Sequence, residues 1–280
     1  MSVTETPTST IAQSFASCAA ENRAALMPFL TAGYPTLQRS AELLDAIVAA
    51  GADLVEIGIP FSDPLADGAT VQHTSQVALE QGVTVQDAFD LVRGFRQRGG
   101  TVPIVFMGYT NPFLQYGLER LGAEAASAGV DGFIIPDLPL EESDEFSAPL
   151  RRHGRDLIFL VAPTSTDRRL RDVAGKASGF LYCVSLVGVT GARDRLWEGL
   201  SAYIERVRSF TDLPLAIGFG ISTPSHVREA ASIADGVIVA SALLNHVDAA
   251  PENEQADAAR AFVEDFKKAT YRNGSNAESA

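Results

Sequence analysis

At 280 residues, 46% of them hydrophobic, the chain has the length and apolar content for one large α/β barrel or two ordinary domains. Its 22 basic and 35 acidic residues give a formal charge of -13, which argues against a nucleic-acid binder built on a basic stripe and leaves any phosphate ligand to local backbone donors. No apolar run approaches the ~20 residues that span a bilayer. The polar start from Met1 to Thr10 contains Glu5 and does not read as a signal peptide, so a cytoplasmic protein is expected.

Residues 8–22 form an Ala/Ser-rich helix candidate, placed to plug the lower end of a barrel. Eight short apolar runs follow, at 26–30, 54–57, 104–107, 132–135, 157–161, 180–184, 215–217 and 236–239. They do not alternate with polar residues, as suits parallel strands buried on both faces. Between them, Leu37, Ala41, Leu44, Ile47 and Val48 repeat at helical spacing, as do Val85, Phe89, Val92 and Phe95. Residues 167–177 and 225–233 read as further helices, the latter preceded by Ser222-Thr223-Pro224, a cap and a first-turn proline. Strands alternating with helices mean a closed barrel or a doubly wound open sheet, and eight units in this length favour the barrel. The expected fold is therefore α/β, a (β/α)8 TIM barrel with an extra N-terminal helix. One domain over residues 1–280 is expected, with polar, disordered ends at about 1–8 and 273–280.

In such a barrel the loops after the strands build the site. The second loop stands out, because Glu56 closes an apolar run and Asp63 and Asp67 follow in the Gly/Pro-punctuated stretch Gly58 to Gly68. Apolar surroundings raise a carboxyl pKa, as general acid/base work requires. Asp63 also reads as a turn former before Pro64, and Asp67-Gly68 as a simple turn. Loops seven and eight, Gly218 to Ser222 and Ala240 to Ala242, expose backbone amides where these barrels hold phosphate; Gly188 to Gly191 after strand six adds to them.

Other chemistries find no support. The three lysines, Lys176, Lys267 and Lys268, avoid the strand ends, which disfavours a Schiff base. His73, His153, His226 and His246 show no metal-ligand spacing and read as surface or helix-end residues, so no metal site is expected. Serine-hydrolase signatures are absent, and Cys183, in an apolar run, reads as a buried free thiol. Glu56 and Asp67 remain the best acid/base pair.

The strings PFLTAGYP, GADLVEIGIPFSDPLADG, MGYTNPFLQYG, GFIIPDLPLEES, GVTGAR, GFGIS and GVIVASAL occur in one order over residues 12–268. In them the chain resembles the tryptophan synthase alpha subunit family; the second string is highly specific, whereas GFGIS alone is weak. The resemblance implies a carbon–carbon lyase of tryptophan biosynthesis, which cleaves indole-3-glycerol phosphate to indole and glyceraldehyde 3-phosphate. It implies that Glu56 shuttles protons, that Asp67 stabilises charge at the indole N–H, and that Tyr182 is an active-site tyrosine. Phe29, Met107, Ile134, Leu160 and Phe219 would line the indole pocket, and Thr190 would help close it over Asp67. The backbone of Gly191, Gly220, Ala240 and Ser241 would hold the phosphate. Ala240 stands where glycine is frequent in the family, a change that keeps the amide, and Leu186-Val187 are more apolar than a mobile loop suggests. The resemblance further implies a beta subunit partner in an αββα complex, contacted through Asp63, Pro64, Asn111 of an Asn111-Pro112 loop, and Pro139. Indole would pass to that partner, which carries pyridoxal phosphate; no cofactor is expected in this chain. The alternatives are a free-standing lyase of the same family and an inactive activator of the beta subunit.

Overall fold

The computed structural model describes residues 9–185 and 196–272. Eight parallel strands close into a barrel in simple chain order: β1 (Ala25–Thr31), β2 (Val55–Gly58), β3 (Ile104–Met107), β4 (Gly132–Ile134), β5 (Asp156–Val161), β6 (Leu181–Val184), β7 (Leu215–Gly218) and β8 (Gly236–Val239). β8 pairs back onto β1 from Ala25↔Gly236 to Pro28↔Val239, which rules out the open sheet. The apolar runs are strands because every one is walled on both sides. One set of side chains packs against helices outside, and the other fills the barrel.

That division follows strand parity. On β2, Val55 and Ile57 belong to the outer core, whereas Glu56 lies between them and faces the barrel interior. Ala25, Met27 and Phe29 of β1, Val105 and Met107 of β3, Ile134 of β4, Ile158 of β5, Tyr182 of β6 and Ala216 of β7 form the inner cluster. The bottom of this cluster is sealed by α1 (Thr10–Ala20), capped by Ser9, whose side chain accepts the Ala12 N–H at 3.2 Å. Ile11, Phe15 and Cys18 of α1 join the inner cluster, with the Phe15 and Phe180 rings 5.6 Å apart, so the expected plug is present.

Around the barrel run α2 (Leu37–Ala49), α3 (Ala69–Glu80), α4 (Val85–Gln97), α5 (Thr110–Tyr116), α6 (Leu118–Ala128) and α7 (Ser143–Arg152). They are followed by α8 (Asp167–Ala174), α9 (Leu200–Arg208), α10 (Pro224–Ala231), α11 (Ser241–Asp248) and α12 (Gln255–Lys268). Thr223 caps α10 with Pro224 in its first turn, as the sequence predicts. Two expectations need correction. Leu37 opens α2 at the rim and is 41% exposed; the buried face is Ser40, Leu43, Leu44 and Ile47. Asn111 and Pro112 lie in helix α5 rather than in a loop, because a proline in the first turn forfeits no intrahelical bond.

At the lower rim, a side-chain oxygen just before each even-numbered strand accepts a backbone N–H at the start of the preceding odd one. Asp53 takes that of Leu26 (2.8 Å), Asp131 that of Ile104 (2.8 Å), Ser178 that of Leu157 (3.1 Å) and Asp235 that of Leu215 (2.9 Å). Each aspartate is also paired with cations: Asp53 with Arg23 and Lys267, Asp131 with Arg96, Asp235 with Arg208. The chain is stitched at the same rim, where Ala24 donates to Thr270 O (3.0 Å) and Arg272 to Asn22 O (3.0 Å).

Candidate active site

Glu56 sits on the rigid part of the site. Its register partners are Phe29 on β1 and Val105 on β3, both inner-cluster residues, and it is 1% exposed. Among the described residues, one carboxyl oxygen, Oε2, is buried without a hydrogen-bond partner. Burial, with a smaller contribution from the negative charge of Asp67, pushes the Glu56 pKa up to about 8.

Asp67 lies on the loop between β2 and α3. The loop folds back through Asp67 N–H on Pro64 O (3.0 Å), and Gln72 Nε2 donates to Asp67 O (2.8 Å). Burial raises the Asp67 carboxyl to about 6, against the pull of a hydrogen bond from the Tyr109 hydroxyl, which favours the ionised form. That hydroxyl also accepts the Ala66 N–H at 2.9 Å, while the Tyr109 ring packs on Phe61 at 5.2 Å. Tyr109 thus fixes both backbone and carboxylate of the acidic loop. Sequence reasoning missed it, although it lies in the quoted string MGYTNPFLQYG; its partner is 43 positions away, and nothing local in the string marks the contact.

Tyr182 stands on β6, across the barrel from Glu56, and is 4% exposed. Its hydroxyl is raised well above the ordinary phenol range by burial and then by the charges of Glu56 and Asp67. The three groups therefore share one electrostatic environment. Phe29, Met107, Ile134, Leu160 and Phe219, all singled out from sequence, belong to or pack on the same inner cluster. Register joins them: Phe29 pairs with Glu56, Met107 with Ile134 and Leu160 with Tyr182. Gly58 leaves room for this arrangement, since a Cβ there would meet Phe29 Cζ at 2.4 Å.

Phe219 and Gly220 both take left-handed backbone, at φ 69° and 78°, and the Phe219 ring meets Tyr182 edge-on at 5.8 Å. Gly220 is exposed, and half-buried Ala240 and Ser241 form the N-terminal end of α11. A helix start of this kind presents unsatisfied N–H groups to an anion. Thr190 and Gly191 lie outside the described residues. On the rim above β2 to β4, Asp63, Asn111 and Pro139 are exposed and Pro64 is half-buried. Leu65 beside them is 93% exposed and Leu114 of α5 is 45% exposed. Among the described residues Asp63 makes only local bonds, accepting from Ser62 Oγ (2.6 Å) and, through its carbonyl, from Leu65 N–H (2.9 Å). It belongs to the turn. His226, expected at a surface or a helix end, is at the start of α10 but buried, 3% exposed.

A family model described as the tryptophan synthase alpha chain matches residues 15–271. The chain belongs to the tryptophan synthase alpha chain family. The alpha chain of a Roseiflexus species (strain RS-1) is 56% identical over 259 residues, covering 92% of this chain and 99% of that relative. In solved structures, Mycobacterium tuberculosis tryptophan synthase superposes with a TM-score of 0.87 at 36% identity, over 95% of this chain and 100% of the matched one. The alpha chain of Legionella pneumophila gives 0.87 at 35% identity, over 96% and 99%. A Saccharomyces cerevisiae relative named tryptophan synthase is 45% identical over 253 residues, but this chain spans only 36% of it.

Proposed function

We propose that the chain cleaves indole-3-glycerol phosphate to indole and glyceraldehyde 3-phosphate. The observation that carries this reading is the split between two carboxyls in one apolar barrel mouth. With its pKa near 8, Glu56 holds a proton at neutral pH; with its pKa near 6, Asp67 is mostly ionised. An acid and an anion close enough for the charge of one to be felt by the other are what a C–C cleavage without Schiff base needs. Glu56 delivers its proton to indole C3, and the ring becomes an electron sink. Asp67 stabilises the positive charge that builds at the indole N–H. The glycerol hydroxyl then loses its proton to Glu56, the C–C bond breaks, and its electron pair restores the aromatic ring. Tyr182 and the apolar wall of Phe29, Met107, Ile134, Leu160 and Phe219 hold the indole. The amides of Gly220, Ala240 and Ser241, with Thr190 and Gly191 of the loop after β6, receive the phosphate and close the site.

The chain works with a beta subunit that carries pyridoxal phosphate, takes over the indole and docks on the rim of Asp63, Pro64, Asn111 and Pro139. Exposed Leu65 and Leu114 on that rim support this reading. No cofactor is needed in the alpha chain itself. Among the described residues no helix is long and apolar enough to cross a membrane, and a cytoplasmic setting fits the reaction.

Glu56→Gln is expected to abolish indole release while inorganic phosphate still binds, and Asp67→Asn to cost at least about a hundredfold in rate. Normal turnover in the first variant, or a loss of tenfold or less in the second, removes that residue from the chemistry. Turnover should rise when a beta subunit is added. A full rate that the beta subunit leaves unchanged would identify a free-standing lyase.

A further inference from the structure

Ser185 is the last described residue of the chain leaving β6, and it is 4% exposed. Its N–H donates to Gly218 O at 3.2 Å, and its hydroxyl donates to the same carbonyl at 2.8 Å. The hydroxyl also lies against the next carbonyl, that of Phe219. One side chain thus gathers two successive carbonyls of the loop after β7, and it does so where the backbone is most unusual. Phe219 holds φ 69°, a region that bulky side chains rarely enter unless their surroundings over-determine it.

The consequence is directional. In a planar trans peptide the C=O and N–H point opposite ways. Drawing the Gly218 and Phe219 carbonyls toward Ser185 turns the Phe219 and Gly220 N–H groups away from β6. No group among the described residues accepts the Gly220 N–H. The same left-handed turn keeps the Phe219 ring edge-on to Tyr182.

We propose that Ser185 is a positioning residue for the substrate phosphate: by clamping the Gly218 and Phe219 carbonyls it aims the Gly220 amide at the phosphate. This rests on the reading of Gly220 as a phosphate donor. It acts through the loop and does not touch the reacting atoms. The loss expected is that of about one buried hydrogen bond.

The test uses the full chain with its beta subunit and three versions of residue 185: wild type, Ser185→Ala and Ser185→Thr, which keeps the hydroxyl. Ser185→Ala is expected to raise KM for indole-3-glycerol phosphate, and Kd for inorganic phosphate, by about tenfold with kcat within about threefold. Cleavage of indole-3-glycerol lacking the phosphate should be unchanged, and Ser185→Thr should recover most of the loss. Unaltered phosphate affinity in Ser185→Ala overturns the proposal. So does an equal loss on the phosphorylated and phosphate-free substrates, which marks general distortion. A wild-type chain that binds no phosphate would instead overturn the assignment of the loop, a result distinguishable from failure at Ser185.

Discussion

Replacing Glu56 by Gln should make the protein more stable, and increasingly so as pH rises. The carboxyl is buried with an oxygen that has no partner among the described residues, and its pKa moves from an ordinary 4.5 to about 8 on folding. The native state therefore holds the proton longer than the unfolded chain does. Stability contributed by this group is complete below pH 4.5 and is lost as pH rises to 8, the reverse of a salt-bridged carboxylate. Each pH unit between the two values removes about 1.4 kcal/mol. Integrated, the loss is about 1 kcal/mol at pH 5, about 3 at pH 7 and about 5 above pH 9. Glutamine keeps the shape and does not titrate, so the variant escapes the loss. Urea unfolding of both proteins at pH 5, 7 and 9, with m-values compared, reads the difference directly. Because the barrel is otherwise unchanged, raised Asp67 acts alike in both proteins and cancels to first order. A constant stability difference across this range would mean that Glu56 is not held protonated, and the acid role built on its burial would fall with it.

Tyr109→Phe removes the hydroxyl that accepts from Ala66 and favours the ionised form of Asp67. The Asp67 pKa should then rise above about 6, so the acid limb of the kcat/KM profile moves to higher pH and kcat falls about tenfold. An unmoved acid limb would separate Tyr109 from Asp67. At the opposite end, burial resists ionisation of Asp53, but hydrogen bonds and charge from Arg23 and Lys267 outweigh it and hold the carboxyl below its ordinary range. Asp53→Asn should cost about 3 kcal/mol near neutral pH by leaving Lys267 unpaired and Arg23 with Glu21 alone, with kcat intact. The difference should shrink as acid protonates the native carboxyl. A change under about 1 kcal/mol in urea unfolding would show the pairing to be dispensable.

The barrel was readable because each strand is apolar on both faces, which turned eight runs into eight strands with little error at their ends. Glu56 was readable for the same reason: a single carboxylate inside such a run has nowhere to go but the interior, and parity puts it there. The helices were harder. α5 hid behind Asn111-Pro112, where breaker residues sit in a first turn that tolerates them, and α3 shows few apolar positions in its twelve residues. Tyr109 and Ser185 were not legible, because each works through a partner far along the chain. Asp67 carried its own signal in the motif, but its protonation depends on Tyr109 and on burial, which a string of letters does not contain.

The four side-chain clips at the lower rim tie β1 to β2, β3 to β4, β5 to β6 and β7 to β8, never β2 to β3 or β4 to β5. At this rim the eightfold barrel is thus chemically a fourfold one, a ring of strand pairs with no such clip between them among the described residues. Opening the chain between pairs, as in a circular permutant that joins the neighbouring segments at 22 and 272 and begins within the α4–β3 connection, leaves every clip within one continuous stretch. A break inside a pair leaves one clip bridging the two new ends. Three of the four clips are anionic and ion-paired; the fourth, Ser178, is neutral, and it serves the pair whose second strand carries Tyr182 and leads into Ser185. The quarter of the ring that leads to Ser185 is therefore the one whose clip does not titrate, and its charge sits instead on buried Asp156 at the start of β5, whose carboxyl burial pushes up against a hydrogen bond from Ser178.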